Sequence, residues 1–348
     1  MFRPTSLRQS REFFLSTRFR CYSTSSPKPT LQLVAQLRKL TEVSITKARE
    51  ALTASNNDVN GALAWLEADM VASGAQRAAK LEGRVAREGL VSISVLSAGN
   101  AAKAGLGKGS VRAAMVELNC ETDFVGRGEL FSQLAADIAH TAAFISEPVD
   151  SDNLIIPCPL DVLNDAPLIS QNGSQAHSSS TVSTSIRDLM AKVGEKVSLR
   201  RAITLVQNPL SDQSGNLGLR LASYVHGAVN SAPQGKIGAI ALLALKSPNL
   251  STHFASEPFT RELERLERAI ARQIVGLDTL SIRSNGSEDG TALYDQPFMM
   301  YGGDSANETV RTVLNQWALD RGLVKDQEEG GVEVIDFAKW TVGSSDVE

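Results

Sequence analysis

The chain has little of what covalent or metal chemistry requires. Its three cysteines, Cys21, Cys120 and Cys158, are too few and too scattered for a disulfide framework or a thiolate metal site, and they fit a reducing compartment. The four histidines, His140, His177, His226 and His253, stand far apart, none at ligand spacing from another or beside a cysteine or carboxylate motif. No uninterrupted apolar run approaches the ~18 residues needed to span a bilayer. The nearest, 237–245, has the length of a strand. The glycine-rich run Gly105-Leu106-Gly107-Lys108-Gly109-Ser110 is a broken phosphate loop. Ala102 stands where the motif needs glycine, Gly109 stands where it needs Ser or Thr, and the run leads into a strand pattern rather than a helix. With no Ser-His-Asp pattern, metal cluster or intact phosphate loop, the sequence offers no catalytic residues and no metal or cofactor site.

What is present describes a globular chain of two or three modest domains, with 42% hydrophobic and 21% charged residues in 348. The first thirty residues differ from the rest. Arg3, Arg8, Arg11, Arg18, Arg20 and Lys28 face one acid, Glu12, among serines, threonines and the apolar Phe13-Phe14-Leu15. This composition predicts a mitochondrial transit peptide over residues 1–22, with Arg20-Cys21-Tyr22-Ser23 resembling a matrix processing site. The expected location is the mitochondrial matrix. Removing residues 1–22 takes away five arginines and one glutamate, so the formal charge of −4 becomes −8. Such acidity argues against direct binding of nucleic acid, whose phosphates it would repel.

Periodicity divides the remainder. Leu33, Val34, Leu37 and Leu40 predict one amphipathic helix, Ala48, Ala51 and Leu52 a second, and Val59, Ala62, Leu63 and Leu66 a third, with a turn at Asn56-Asn57-Asp58. Together they make a helical mini-domain over 31–72, followed by a small-residue, charged connector over 73–89. Period-two alternation over 90–96 and an apolar run over 111–118 predict a pair of strands, and Leu130, Phe131, Leu134 and Ile138 start a helix over 129–145. This first core subdomain covers 90–205. It is interrupted over 148–185 by a proline-bearing, then serine-rich segment expected to be a flexible insertion. A second subdomain, 206–348, holds strand patterns at 219–226 and 237–245, an amphipathic helix over 259–275, another over 310–319 and a closing strand over 332–342.

The stretch Glu117-Leu118-Asn119-Cys120-Glu121-Thr122-Asp123-Phe124-Val125 is where a strand runs into an acid beside a phenylalanine. Gly126-Arg127-Gly128 follows, so Asp123 and Phe124 fall at a strand-to-helix junction, a kind of place that often carries function. Locally two readings stay open. Asp123 caps the next helix and Phe124 plugs the core, or the pair projects to meet another protein.

This stretch resembles the signature segment of the elongation factor Ts family, the nucleotide exchange factors of elongation factor Tu. Val193-Gly194-Glu195-Lys196-Val197-Ser198-Leu199-Arg200-Arg201-Ala202, Ser223-Tyr224-Val225-His226-Gly227, Gly235-Lys236-Ile237-Gly238 and Gln296-Pro297-Phe298-Met299 match further family stretches in the same order. The resemblance implies an α+β fold, with a ubiquitin-associated-like mini-domain followed by two sheet-and-helix subdomains. The long coiled-coil hairpin of bacterial members is absent, since only 283–295 stands in its place. It further implies mitochondrial elongation factor Tu as partner, with Thr122, Asp123, Phe124 and Val125 as the tip that meets it. Phe124 wedges into the partner's G domain while Asp123 approaches the magnesium region, and GDP is exchanged for GTP without covalent catalysis. Arg38 and Ile45 on the mini-domain and His226 on a strand end are carried over as further contacts. Ubiquitin binding by the mini-domain is disfavoured, because Thr41-Glu42-Val43-Ser44-Ile45 replaces the hydrophobic-Gly-aromatic loop of ubiquitin-binding versions. The family's usual glycines are missing there as well.

Overall fold

The computed structural model describes residues 28–41, 43–81, 83–99, 109–149, 151, 153–171, 180–209, 216–227, 233–284, 290–325 and 331–344. The transit segment, the broken phosphate loop as far as Lys108 and most of the serine-rich run lie outside them. The chain divides into two compact units, Met1–Asp69 and Met70–Glu348.

The first unit is built from α1 (Leu31–Thr41), α2 (Ile45–Ala54) and the start of α3 (Val59–Leu81). Val34, Leu37, Ala48, Ala51, Leu52, Ala62 and Leu66 converge in its core, as the helical spacing requires. Ser44 caps α2 by accepting from Lys47 N–H, and Asp58 Oδ2 accepts from Gly61 N–H at 2.7 Å at the start of α3. Between them Asn56 and Asn57 take φ values of 53° and 66°, a left-handed turn that asparagine tolerates better than other side chains. Residues 73–81, expected in the connector, continue α3 without a break.

The second unit contains two antiparallel sheets. One has the order β3 (Ile155–Pro157), β4 (Val197–Gln207), β2 (Val111–Cys120), β1 (Glu88–Ala98), β6 (Gln234–Gly235); the other has the order β5 (Leu217–His226), β7 (Ile237–Lys246), β8 (Val332–Thr341). The sheets share one apolar layer, in which Val91, Ile93, Val111, Ala113, Met115, Ile203 and Leu205 meet Leu219, Leu221, Ile240 and Leu242. The opposite face of the first sheet packs on α5 (Glu129–Ile145) and α7 (Val182–Val193) through Leu90, Ala114, Val116 and Leu118. The opposite face of the second packs on α9 (Glu257–Gly276) and α10 (Val310–Asp320) through Ala239, Ala241, Leu243 and Leu245. The order of layers is helix, sheet, sheet, helix. Strands β2 and β7 are therefore buried on both faces, which is why they read as mostly apolar runs rather than as alternation. Gly238 sits at a close approach between the sheets, where an added Cβ would come 2.7 Å from Val91 Cγ1.

Two expectations need correction. Within the supposed flexible insertion 148–185, β3 pairs with β4, and α6 (Leu160–Asp165) and the first turn of α7 bury Leu163 and Val182. Thr141 Oγ1 and Asp137 Oδ1 on α5 also accept from the N–H groups of Ile169 and Gln171. Polar composition misled because this segment is held by hydrogen bonds to α5 and a few buried apolar side chains. Leu130, assigned to the apolar face of α5, is instead 58% exposed, and Phe131, Leu134, Ala135 and Ile138 form that face. Strand β7 is followed by a short helix, α8 (Leu250–Ala255), that the periodicity did not predict.

Candidate functional site: an exposed aromatic tip

The junction after β2 forms α4 (Asp123–Gly126), a single helical turn. Its N-cap is Thr122, whose hydroxyl accepts from Val125 N–H, and the next helix, α5, has Gly128 at its N-cap with no side-chain bond, so Asp123 caps neither. Val125 faces inward at 8% exposure and anchors the turn in the core beside Phe131, so it supports the tip from below. Phe124 points outward. It is 85% exposed, the largest value among the exposed apolar side chains of the described residues, and the core-plug reading is excluded. Phe124, Leu130 and Val193 line an open groove together with Asp123, Arg127 and Glu129. Leu130 thus joins the tip's apolar surface. Sequence reading missed it because a leucine one position off the buried stripe still fits a helical pattern.

Asp123 makes an ion pair with Arg127 one turn on, at 3.3 Å, with both side chains largely exposed. Such a pair is worth at most about 1 kcal/mol in water, so Asp123 can leave it for a better partner.

Residues 117–120 of the signature stretch face inward, Glu121 is half-buried and Thr122 is exposed. Leu118 and Cys120 are buried in the core, and Glu117 is fully buried among Arg200, Arg201 and the C-terminal turn. Glu121 Oε1 accepts from Lys196 N–H at 2.7 Å, and Arg84 lies 3.4 Å from the same carboxylate. Thr122 donates from its N–H to Glu195 Oε2 at 3.0 Å and from its hydroxyl to Glu195 Oε1 at 2.7 Å. Cys120 donates to Thr122 O at 3.1 Å. Burial first, and then the nearby Glu195 charge, push its thiol up to about 12. Cys158 is raised by burial as well. Thiols so placed are protonated at neutral pH and make poor nucleophiles. A native chain beginning at residue 23 is therefore expected to show no fast-reacting thiol with a disulfide reagent at pH 8, and two once guanidinium unfolds it. One equivalent reacting within seconds in the native protein would contradict this burial.

The other carried-over residues lie away from the tip in the chain. Arg38 is exposed on α1 and donates from Nε to Val43 O at 3.1 Å, closing the loop into α2, where Ile45 is 49% exposed. His226 is exposed at the end of β5, opposite Ile237, and its carbonyl accepts from Lys236 N–H at 3.0 Å. Among the described residues no three His, Cys, Asp or Glu side chains converge as a metal site would need, and no helix is long and apolar enough to cross a membrane.

A one-turn helix that presents an exposed aromatic on a sheet-and-helix body is an arrangement suited to contact with another macromolecule. The family model described as Elongation factor TS matches residues 121–286, which begin within the signature stretch. "Elongation factor Ts, mitochondrial" of Laccaria bicolor is 55% identical over 328 residues, covering 94% of this chain and 95% of that protein. The protein of the same name from Coprinopsis cinerea is 51% identical over 340 residues, 97% and 98% of the two chains. That of Mycosarcoma maydis is 32% identical over 385 aligned positions. The chain belongs to the elongation factor Ts family.

Proposed function

We propose that this protein is the mitochondrial exchange factor of elongation factor Tu, working in the matrix after loss of its first ~22 residues. In this reading Phe124 inserts between helices of the partner's G domain. Asp123 exchanges its weak pair with Arg127 for the magnesium region, so that the ion and the β-phosphate lose their fit. The mini-domain, with Arg38 and Ile45, adds docking surface, and His226 adds a contact from the second sheet. No covalent chemistry is required.

The observation that carries the reading is the solvent exposure of Phe124 on a turn whose flanks, Thr122 and Val125, are fixed. Burying a phenylalanine is worth roughly 1.5 to 3 kcal/mol, enough for a ten- to hundredfold shift if only the nucleotide-free partner accepts it. Coupling is reciprocal: whatever factor this protein takes from GDP affinity, GDP takes from the affinity of this protein for the partner. Exchange is thus accelerated in both directions. The test is release of fluorescent GDP from mitochondrial elongation factor Tu, with the chain from residue 23 added in increasing amounts. A release rate that rises to a plateau supports the reading, and a rate independent of the added chain removes it.

A further inference from the structure

The tip has a mechanical problem. Phe124 is 85% exposed, so its own packing does little to fix its direction, and one helical turn is far too short to hold its shape alone. Something outside α4 must set where the ring points. Val125 fixes the inner side of the turn and Cys120 donates to Thr122 O, but the N–H and hydroxyl at its entry, on Thr122, need partners of their own.

The entry is held by Glu195. The left-handed Gly194, at φ 74°, ends α7 with its N–H donating to Met190 O, and the chain then turns to bring Glu195 beside the tip. Its two carboxylate oxygens take different donors of one residue, Thr122 N–H at 3.0 Å and Thr122 Oγ1–H at 2.7 Å. A hydroxyl has one proton and two lone pairs. By accepting that proton, Glu195 turns the lone pairs of Thr122 Oγ1 toward Val125 N–H, the bond that caps α4. The neighbouring contact runs the opposite way, with Lys196 N–H donating to Glu121 Oε1, so two adjacent residues on each side close a reciprocal clasp. Hydrogen bonds to an ionised carboxylate are the stronger kind, which suits a joint that must resist load when the partner pushes on the ring.

We infer that Glu195 is a positioning residue for exchange: it holds Thr122, and through it the direction of Phe124, without touching the partner. The inference rests on the wedge reading above. It also gives the second family stretch, Val193-Gly194-Glu195-Lys196, a task in the same site as the first.

The experiment uses the chain from residue 23 and reads the plateau rate of fluorescent GDP release separately from the half-saturating concentration. Glu195→Ala lowers the plateau roughly tenfold, as a misaimed group does, with half-saturation within about twofold and little change in melting temperature. Thr122→Val reproduces that fall, and Thr122→Ser, which keeps the hydroxyl, recovers the plateau that valine loses. In a Phe124→Ala background Glu195→Ala has no further effect, because the residue acts through the ring. A wild-type plateau for Glu195→Ala overturns the assignment, as does an undiminished effect in the Phe124→Ala background. If Glu195→Ala fails to fold, Glu195→Gln, which keeps the length of the side chain but leaves one oxygen to serve the two Thr122 donors, decides by the same criteria. A wild-type plateau for Phe124→Ala alone overturns the wedge reading instead, so the two failures are distinguishable.

Discussion

Phe124→Ala is expected to leave the fold untouched and to slow stimulated GDP release by roughly ten- to a hundredfold, the equivalent of the burial energy of one phenylalanine. The two halves of this expectation come from one measurement of exposure. A side chain 85% exposed contributes almost nothing to the core. Its truncation should therefore stay within about 0.5 kcal/mol, or about 2 °C in melting temperature. A core phenylalanine would behave in the reverse manner, losing around 3 to 5 kcal/mol of stability. Asp123→Ala should give a milder loss, since it removes a charge held only by a surface pair with Arg127 and leaves the ring in place. Thermal melting and a GDP-release titration on the same preparation separate the cases. A stable Phe124→Ala protein with normal release would rule out the ring as the working part, while membership of the family would stand.

Much of this architecture was legible because its elements are long and their burial is one-sided or complete. The helix expected over 129–145 is α5 (Glu129–Ile145), and the run over 237–245 is β7 (Ile237–Lys246) to within one residue. Strands with both faces covered leave apolar runs, and helices with one face covered leave a stripe. Legibility failed where structure is made by distant partners. β6 is two residues long and exists because Val91 and Ser92 pair with it. The ordered part of the insertion is held by Asp137 and Thr141, some thirty residues earlier in the chain. The tip shows the same division. Sequence placed Asp123 and Phe124 at a strand-to-helix junction but left cap, plug and projection open, because exposure is decided by what lies beneath. Glu195 as the holder of Thr122 had no local signal, since 73 positions separate them.

Glu117→Ala should be among the most destabilising single changes available in this chain, at about 3 to 5 kcal/mol and roughly 10 °C in melting temperature. Glu117 is the one acid of a strand whose other residues are mostly apolar, and it has no accessible surface at all. Four donors hold it. Oε1 accepts from Arg200 Nη1 at 3.2 Å, Asn119 Nδ2 at 3.2 Å and Gly343 N at 2.8 Å, and Oε2 accepts from Arg201 Nε at 2.7 Å. Arg201 lies over the Trp340 ring at 4.4 Å, and Arg200 donates to Ser344 O at 2.5 Å, so the carboxylate joins β2, β4 and the turn after β8. Taking the carboxylate away leaves two guanidinium groups and a backbone N–H facing each other with no anion between them. That uncompensated charge, more than the lost attraction, is the source of the penalty. It follows that Glu117→Leu combined with Arg201→Leu should be less harmful than the sum of the two single changes, with a coupling of about 1 to 3 kcal/mol. Urea unfolding of the four proteins in that cycle measures it. Strict additivity, or a Glu117→Ala loss below about 1 kcal/mol, would mean that the carboxylate is solvated and that β2 is joined to the C-terminal turn by packing alone.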